Sequence, residues 1–115
     1  MAELADTFGT RAVADWTGAY LRSVDGRVAA AAFEEEGVPV HITVVETGQA
    51  DRLAARAAAR SPLRIGVASD EKVAVIHLAG AASPYLSSPI AQLRHLAQQA
   101  ARIAARRPLL CTERL

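Results

Sequence analysis

The chain has 115 residues, of which 51% are hydrophobic and 22% are charged, and its formal net charge is +1. This balance is typical of one globular domain over residues 1–115, and it excludes wholesale disorder. The near-neutral charge and the 4% aromatic content indicate no nucleic-acid partner. The single cysteine, Cys111, excludes an internal disulfide and a cysteine-built zinc site.

The chain also lacks the features of membrane or secreted proteins. No apolar run approaches the roughly 18 residues that a membrane span requires. The acidic N-terminus has neither the basic region nor the apolar region of a secretion signal. We therefore expect a cytoplasmic protein without a membrane contact.

Residues 1–24 carry the weakest structural signals in the chain. A short strand is compatible with residues 11–16 and equally with residues 19–24. The signals become clearer at residues 27–36, which are rich in strong helix formers and predict the first helix. Gly37 follows at the position where a helix commonly takes a left-handed cap.

The middle of the chain alternates strands and helices. Alternating β-branched side chains predict a strand over residues 38–45, and a second helix is predicted over residues 49–60. Residues 63–68 and 73–78 are two six-residue apolar strands separated by four polar residues. This spacing most simply makes an antiparallel hairpin.

A third helix is predicted near the C-terminus, with Ser88 as its N-cap, Pro89 in its first position and Pro108 after its end. Its apolar residues recur at intervals of three and four residues. This spacing predicts a buried stripe formed by Ile90, Leu93, Ala97, Ala100 and Ala104. Residues 109–111 are a candidate last strand. Helices that alternate with strands, plus one hairpin, predict a three-layer α/β domain with a mostly parallel sheet.

No nucleotide-binding or hydrolase motif occurs in the sequence. Glycine-rich phosphate loops are missing, and the only lysine, Lys72, lies in a predicted turn. His41, His77 and His95 are scattered over two strands and a helix, and we expect structural roles for His41 and His77. Cys111 has no identifiable base, so an inert thiol is expected. The sequence therefore predicts no catalytic residue and no cofactor-binding residue in this chain alone.

Two predicted helices carry regularly spaced basic residues. The second helix has Arg52, Arg56 and Arg60. The third helix repeats the spacing with Arg94, Gln98, Arg102 and Arg106. A solvated outer face is the ordinary interpretation of such rows, and a stripe for an acidic protein partner is the functional alternative.

Glu34, Glu35 and Glu36 occupy the last turn of the first predicted helix, directly before Gly37. The helix dipole is already negative there, so these carboxylates are unfavourable unless something compensates them. Clustered carboxylate and carbonyl oxygens favour Mg²⁺ or Ca²⁺, but adjacent helix positions cannot all face one ion. A complete site would therefore need oxygens from a partner chain, and a merely solvated cluster is the alternative.

The same residues carry a resemblance to a known family. Residues 34–39 resemble the Glu-Glu-Glu-Gly-Ile-Pro signature of the small subunit of the diol/glycerol dehydratase reactivating factor. The similarity covers about residues 33–110 and continues in order through residues 58–63, 65–70, 75–78 and 101–102. Residues 1–24 match poorly. The family's first strand ends in an aspartate, for which Asp15 and Asp25 are both candidates.

The resemblance implies a fold and a function. The fold is expected to be like an anticodon-binding domain, with three α/β/α layers around a mixed five-stranded sheet that holds one antiparallel strand. The expected function is that of a chaperone-like subunit that is not an enzyme. Together with a large, actin-like ATPase subunit, it would release damaged cobalamin from a B12-dependent dehydratase. It would exchange with the dehydratase medium subunit, so the dehydratase large subunit is a second expected partner.

The resemblance also implies roles for particular residues. Glu35, at the middle glutamate of the signature, would help to hold a divalent cation, Mg²⁺ or Ca²⁺, at the contact with the large ATPase subunit. The expected partner interface comprises Glu34, Glu35, Glu36 and Gly37. A medium-subunit-like component of the dehydratase itself and a stand-alone protein-binding module remain as alternatives. Association with a bacterial microcompartment is left open.

Overall fold

A computed structural model describes residues 15–106 of the chain. Its elements, in chain order, are β1 (Thr17–Leu21), α1 (Ser23–Glu36), β2 (Val40–Val44), α2 (Ala50–Arg60), β3 (Ile65–Ser69), β4 (Val73–Leu78), β5 (Leu86–Pro89) and α3 (Leu93–Ala104). A single 3₁₀ turn, Ile90–Gln92, leads into α3. The candidate strand at residues 109–111 and Cys111 lie outside the described residues.

The five strands form one mixed sheet in the order β2-β1-β3-β4-β5. The central strand β1 pairs in parallel with β2 and with β3. β4 is antiparallel to both of its neighbours, β3 and β5. This topology confirms the predicted α/β class, the mixed five-stranded sheet and the hairpin formed by β3 and β4.

The helices lie on both faces of the sheet and complete the three layers. α1 and α3 pack against each other and against one face, while α2 covers β1, β3 and β4 on the other. The first face is filled by large side chains, and those that are fully buried include Leu21, Phe33, Ile42, Ile76 and Leu96. The second face is filled mainly by smaller groups around α2, with Tyr20, Leu53 and Val75 as its larger members.

Two glycines bring the α2 backbone into direct contact with the sheet. A Cβ atom on Gly66 would lie 2.3 Å from Ala54 O and from Ala58 N, and one on Gly18 would lie 2.5 Å from Ala57 O. Such distances are shorter than any carbon–oxygen or carbon–nitrogen contact, so only glycine fits at these positions.

The largest error of the sequence prediction concerns Ser88 and Pro89. They belong to β5 instead of starting α3: Ser88 pairs with Ala74, and Pro89 pairs with Val73. The open edge of β4 supplies the backbone partners that override the local capping signal. Pro89, which has no N–H to donate, is compatible with this position on an edge strand.

The buried stripe of α3 is largely as predicted. Leu93, Ala97 and Ala100 are buried in the core, and Ile90 and Ala104 pack against it while partly exposed. Ile90 lies in the 3₁₀ turn before α3, since the helix begins only at Leu93.

The start of α1 also differs from the prediction. The helix begins at Ser23, four residues earlier than predicted, because the Asp25 N–H donates to Arg22 O at 2.9 Å and closes a first turn. The carboxylate of Glu46 accepts a hydrogen bond from the Ser23 N–H at 3.3 Å. Of the two candidate aspartates, Asp25 therefore lies just after β1, in the first turn of α1, and Asp15 precedes β1.

Candidate functional site

The acidic signature lies at the C-terminal end of α1, where Gly37 adopts the predicted left-handed conformation with φ of 71°. The Gly37 N–H donates to Glu34 O at 3.0 Å, and the Val38 N–H donates to Phe33 O at 3.0 Å. These two bonds form a Schellman motif, in which the chain itself satisfies carbonyls of the last helical turn.

The Glu35 carboxylate is engaged by α3. Arg94 donates to Glu35 Oε2 at 2.5 Å, and the Gln98 amide donates to Oε1 at 3.1 Å. The hydrogen bonds from Arg94 and then from Gln98 lower the pKa of Glu35 below its usual value. About half of each charged side chain is exposed, 48% for Glu35 and 53% for Arg94.

The neighbouring Glu36 forms a second and more buried ion pair with α3. Its Oε2 lies 3.5 Å from Arg102 Nε, and only 11% of the Glu36 side chain is exposed. Two of the three glutamates, Glu35 and Glu36, are therefore compensated within the chain by arginines of α3. Arg106, the last member of the predicted row, lies beyond the end of α3.

The basic row on α2 has a different environment. Arg52, Arg56 and Arg60 are all exposed, as expected for a solvated outer face. Arg60 also reaches the sheet, where its guanidinium donates to the Tyr20 hydroxyl at 2.9 Å.

In this arrangement Glu35 does not fit a divalent cation. Both of its oxygens accept hydrogen bonds, and one of the donors is a positively charged guanidinium. Across residues 15–106, no three histidine, cysteine or acidic side chains converge on a point where they would hold a metal ion. A cation at Glu35 therefore requires Arg94 to move and ligand oxygens from another chain, and this role stays a prediction.

Sequence reasoning missed a buried polar cluster at the carboxyl ends of β1 and β3. Asp25 accepts hydrogen bonds from Arg22 at 2.7 and 3.2 Å and from the Ser69 hydroxyl at 2.7 Å. Ligands of open α/β sheets commonly bind at this edge, but here the side chains satisfy one another. The only signal in the sequence was the aspartate expected near the end of the first strand.

Asp70 lies at the same edge and holds the start of α2. Its carboxylate accepts hydrogen bonds from the backbone N–H groups of Ala50 at 3.1 Å, Lys72 at 2.8 Å and Val73 at 2.9 Å. Burial opposes its ionisation, but the N–H donors of Val73, Lys72 and Ala50 outweigh it and lower the pKa of Asp70.

The three histidines do not come together. His41 packs edge-on against Trp16 with ring centroids 4.9 Å apart, and His77 is buried with its Nδ1 3.0 Å from Leu78 O. These environments fit the structural roles expected for both. His95 lines a cavity between β5 and α3 together with Leu86 and Gln99. Within residues 15–106, no helix is long and apolar enough to span a membrane.

Comparisons with known proteins place this arrangement in a family. The fold is similar to that of a solved diol dehydratase-reactivating factor complexed with ADP and Mg²⁺, with 27% identity and a TM-score of 0.67 over 80% of this chain and 93% of that chain. A glycerol dehydratase reactivase has the same fold, with a TM-score of 0.70 and 21% identity over 82% of this chain and 95% of that chain. A comparison with curated protein sequences returned no match. Residues 19–109 match the family model of the dehydratase medium subunit, and the chain belongs to that family.

Proposed function

We propose that this chain is a chaperone-like accessory subunit of a dehydratase-reactivating complex and is not itself an enzyme. Together with a large ATPase subunit, it releases damaged cobalamin from a B12-dependent diol or glycerol dehydratase. It does so by exchange, binding in turn to the ATPase subunit and to the dehydratase large subunit. Its proposed location is the cytoplasm.

One observation carries this proposal. The match to the diol dehydratase-reactivating factor has 27% identity and includes 93% of that chain. This domain therefore corresponds to nearly a whole chain of the factor. The match to a glycerol dehydratase reactivase supports the fold but, at 21% identity, does not distinguish the two dehydratases.

The proposed partner surface is the C-terminal end of α1, formed by Glu34, Glu35, Glu36 and Gly37. Exposure supports this choice, since Glu34 and Gly37 are exposed and 48% of the Glu35 side chain is accessible. A Mg²⁺ or Ca²⁺ ion that contacts Glu35 is part of the proposal, with its other ligands supplied by oxygens of the partner. The similar reactivating factor was solved with ADP and Mg²⁺.

The absence of a phosphate-binding loop from the sequence supports a non-enzymatic role. We expect the purified chain to show no ATP hydrolysis above that of a buffer blank, and ATP turnover to appear only with the large subunit. A steady ATPase rate that follows the isolated chain through several purification steps would contradict this part of the proposal.

A second candidate function is a medium-subunit-like component of the dehydratase itself. The family model supports it, because that model describes the dehydratase medium subunit. In this case the chain would be a permanent part of the dehydratase and would not exchange with an ATPase subunit.

Co-purification separates the two functions. The tagged chain is expressed with the reactivase large subunit and, separately, with the dehydratase large subunit. The proposal expects a complex with the ATPase subunit that restores activity to an inactivated dehydratase when ATP, Mg²⁺ and fresh cobalamin coenzyme are added. A complex with the dehydratase subunit alone supports the second function. If the chain binds neither large subunit, both candidate functions are contradicted, and a stand-alone binding module is the remaining alternative.

A further inference from the structure

The outer face of α2 carries a basic row whose charges are not all used within the chain. Arg52, Arg56 and Arg60 lie about one turn apart along this face, and all three are exposed. Neither Arg52 nor Arg56 forms an ion pair with another residue in the described range 15–106. We infer that this face binds an acidic helix of a protein partner. The inference rests on the proposed function for the identity of that partner, which is one of the two large subunits.

The row of the same spacing on α3 shows what such an arrangement binds. Arg94 and Gln98 donate to the two carboxylate oxygens of Glu35. One turn further along α3, Arg102 Nε lies 3.5 Å from Glu36 Oε2. Donors spaced four residues apart on one helix thus bind adjacent carboxylates at the end of a neighbouring helix. The row on α2 has the same spacing and is complementary in charge to the same kind of helix.

Within α2 the row is not compensated by acidic residues. Like charges four residues apart on a helix repel each other. A helix face that is merely solvated commonly alternates the two signs of charge, but the only acidic residue of α2 is Asp51, in its first turn. Asp51 Oδ1 accepts a hydrogen bond from the backbone N–H of Arg52 at 2.9 Å. An unfavourable row without an internal counterpart favours an external acidic partner over simple solvation.

The surface beside the row is suited to a helix. Ala55 and Ala59 lie between the arginines in the sequence, and neither is buried: Ala59 is exposed and Ala55 is half-buried. Small side chains allow the axis of a second helix to come close, because the distance between packed helices depends on the side chains at the contact. A partner helix can therefore lie along the alanines while its carboxylates face the arginines.

Arg60 is held in place at the C-terminal end of the row. Its guanidinium donates to the Tyr20 hydroxyl at 2.9 Å and lies 6.0 Å from the centroid of the Tyr20 ring. A side chain that is already ordered loses less conformational entropy when a partner binds. Because Tyr20 belongs to the core beneath α2, a substitution of Arg60 would also disturb the domain. The tests therefore use Arg52 and Arg56.

The charges around α2 favour an acidic protein over a nucleic acid. A nucleic-acid surface is typically strongly basic and is often rich in aromatic side chains, whereas this chain has a net charge of +1 and 4% aromatic residues. Asp51 and Asp70 lie at the start of α2, where they would repel a phosphate backbone that extends past the row. A short acidic helix meets only the arginines.

The first test uses the isolated chain and a synthetic helical peptide that carries two Glu-Glu pairs one turn apart. The same peptide with Gln in place of Glu is the control, and backbone amide signals are followed by NMR at low salt, where exposed charges are least screened. We expect the signals of residues 52–60 to shift with the Glu peptide only. The double variant Arg52→Gln/Arg56→Gln should abolish these shifts. No shift on α2, or equal shifts on the already paired row of α3, overturns the inference.

The second test measures affinity for each of the two large subunits by titration calorimetry. For one of them, Arg52→Gln/Arg56→Gln should bind about threefold to tenfold more weakly than the wild type, which is the size of effect expected from two exposed ion pairs. Arg52→Lys/Arg56→Lys keeps both charges and should retain most of the affinity. Arg27→Gln removes one charge from an exposed site on α1 and should bind like the wild type, whereas Arg56→Gln alone should lose about twofold to threefold.

The outcomes distinguish this inference from the proposed function. If the wild type binds neither large subunit, the proposed function fails, and the peptide titration still decides whether α2 binds an acidic helix. If the wild type binds but the double Gln variant binds both subunits as tightly, the inference fails and the proposed function stands. Tighter binding of a DNA duplex than of the Glu peptide at α2, or a dimer of this chain that only the double Gln variant dissociates, also overturns the inference. A thermal melt of each variant verifies that it is folded.

Discussion

The two faces of the sheet are packed by different means. The face under α1 and α3 is filled by large apolar side chains such as Phe33 and Leu96, which are fully buried. The face under α2 has almost no space for side chains at its centre, because Gly18 and Gly66 let the helix backbone approach the strands directly.

This difference determines how each face responds to change. Side chains on the first face can shift rotamers and fill part of a cavity, so the cost of a substitution depends on the volume that is removed. On the second face the contact is between backbone atoms, which cannot move without moving α2 or a strand. The α2 face should therefore tolerate added atoms much less well than the other face tolerates removed ones.

The largest effect is expected for Gly66→Ala. The new methyl group would meet Ala54 O and Ala58 N at 2.3 Å, so α2 must shift away from β3. We expect a loss of about 3 kcal/mol in the free energy of unfolding, at the upper end for overpacking. This loss is measured by comparing denaturant unfolding curves of the wild type and the variant.

Gly26→Ala is the matched control for this change. Gly26 lies inside α1 with no atom within 4 Å of the added Cβ, so the same methyl group should stabilise the domain by about 0.5–1 kcal/mol. Equal effects at the two glycines would refute the proposed contrast between the faces.

Phe33→Leu tests the opposite face. The substitution removes part of a fully buried ring from the core beneath α1, and neighbouring side chains can relax into the space. We expect the free energy of unfolding to fall by about 1–2 kcal/mol. This loss is smaller than that of Gly66→Ala, although Phe33→Leu removes more atoms than Gly66→Ala adds. A larger loss than in Gly66→Ala, measured by the same unfolding curves, would reverse the ranking.

Asp70→Asn tests how α2 is held in place. The substitution keeps the shape of the side chain, but both carboxylate oxygens accept hydrogen bonds from backbone N–H groups and an amide nitrogen cannot accept one. At least one of these three hydrogen bonds is therefore lost. We expect a loss of about 1 kcal/mol in the free energy of unfolding at pH 7, which is the typical net contribution of one intramolecular hydrogen bond.

The pH dependence provides a second measurement on Asp70. Folding lowers the pKa of Asp70 below its usual value of 3.8, so its contribution to stability is present above that value and is lost as the pH falls through the folded pKa. The difference between wild type and Asp70→Asn should therefore shrink as the pH drops below about 4. A constant difference from pH 7 to pH 2 would contradict this assignment.

The smallest effect on stability is expected for Glu35→Gln. Its ion pair with Arg94 is half exposed, and the substitution also relieves repulsion among three adjacent carboxylates. We expect the melting temperature to change by no more than about 2 °C. A clear drop would mean that this ion pair contributes substantially to the packing of α1 against α3.

Local signals were sufficient for most of the fold. The capping position of Gly37, the spacing of β3 and β4 and the periodicity of α3 each depend on residues close together in the chain, and all three predictions are confirmed. The acidic signature, together with the ordered series of similar segments that follows it over about residues 33–110, also identified the family.

The sequence by itself therefore determined the α/β class, because helix caps, turns and side-chain periods are short-range properties of the chain. It also determined the family, because the similar segments follow one another in order along the chain. Only the tertiary structure decided that Ser88 and Pro89 form a strand, because the open edge of β4 competes with a local cap. It alone decided that Glu35 meets Arg94, 59 residues away, because the packing of α1 beside α3 brings opposite charges together and no local pattern encodes that distance.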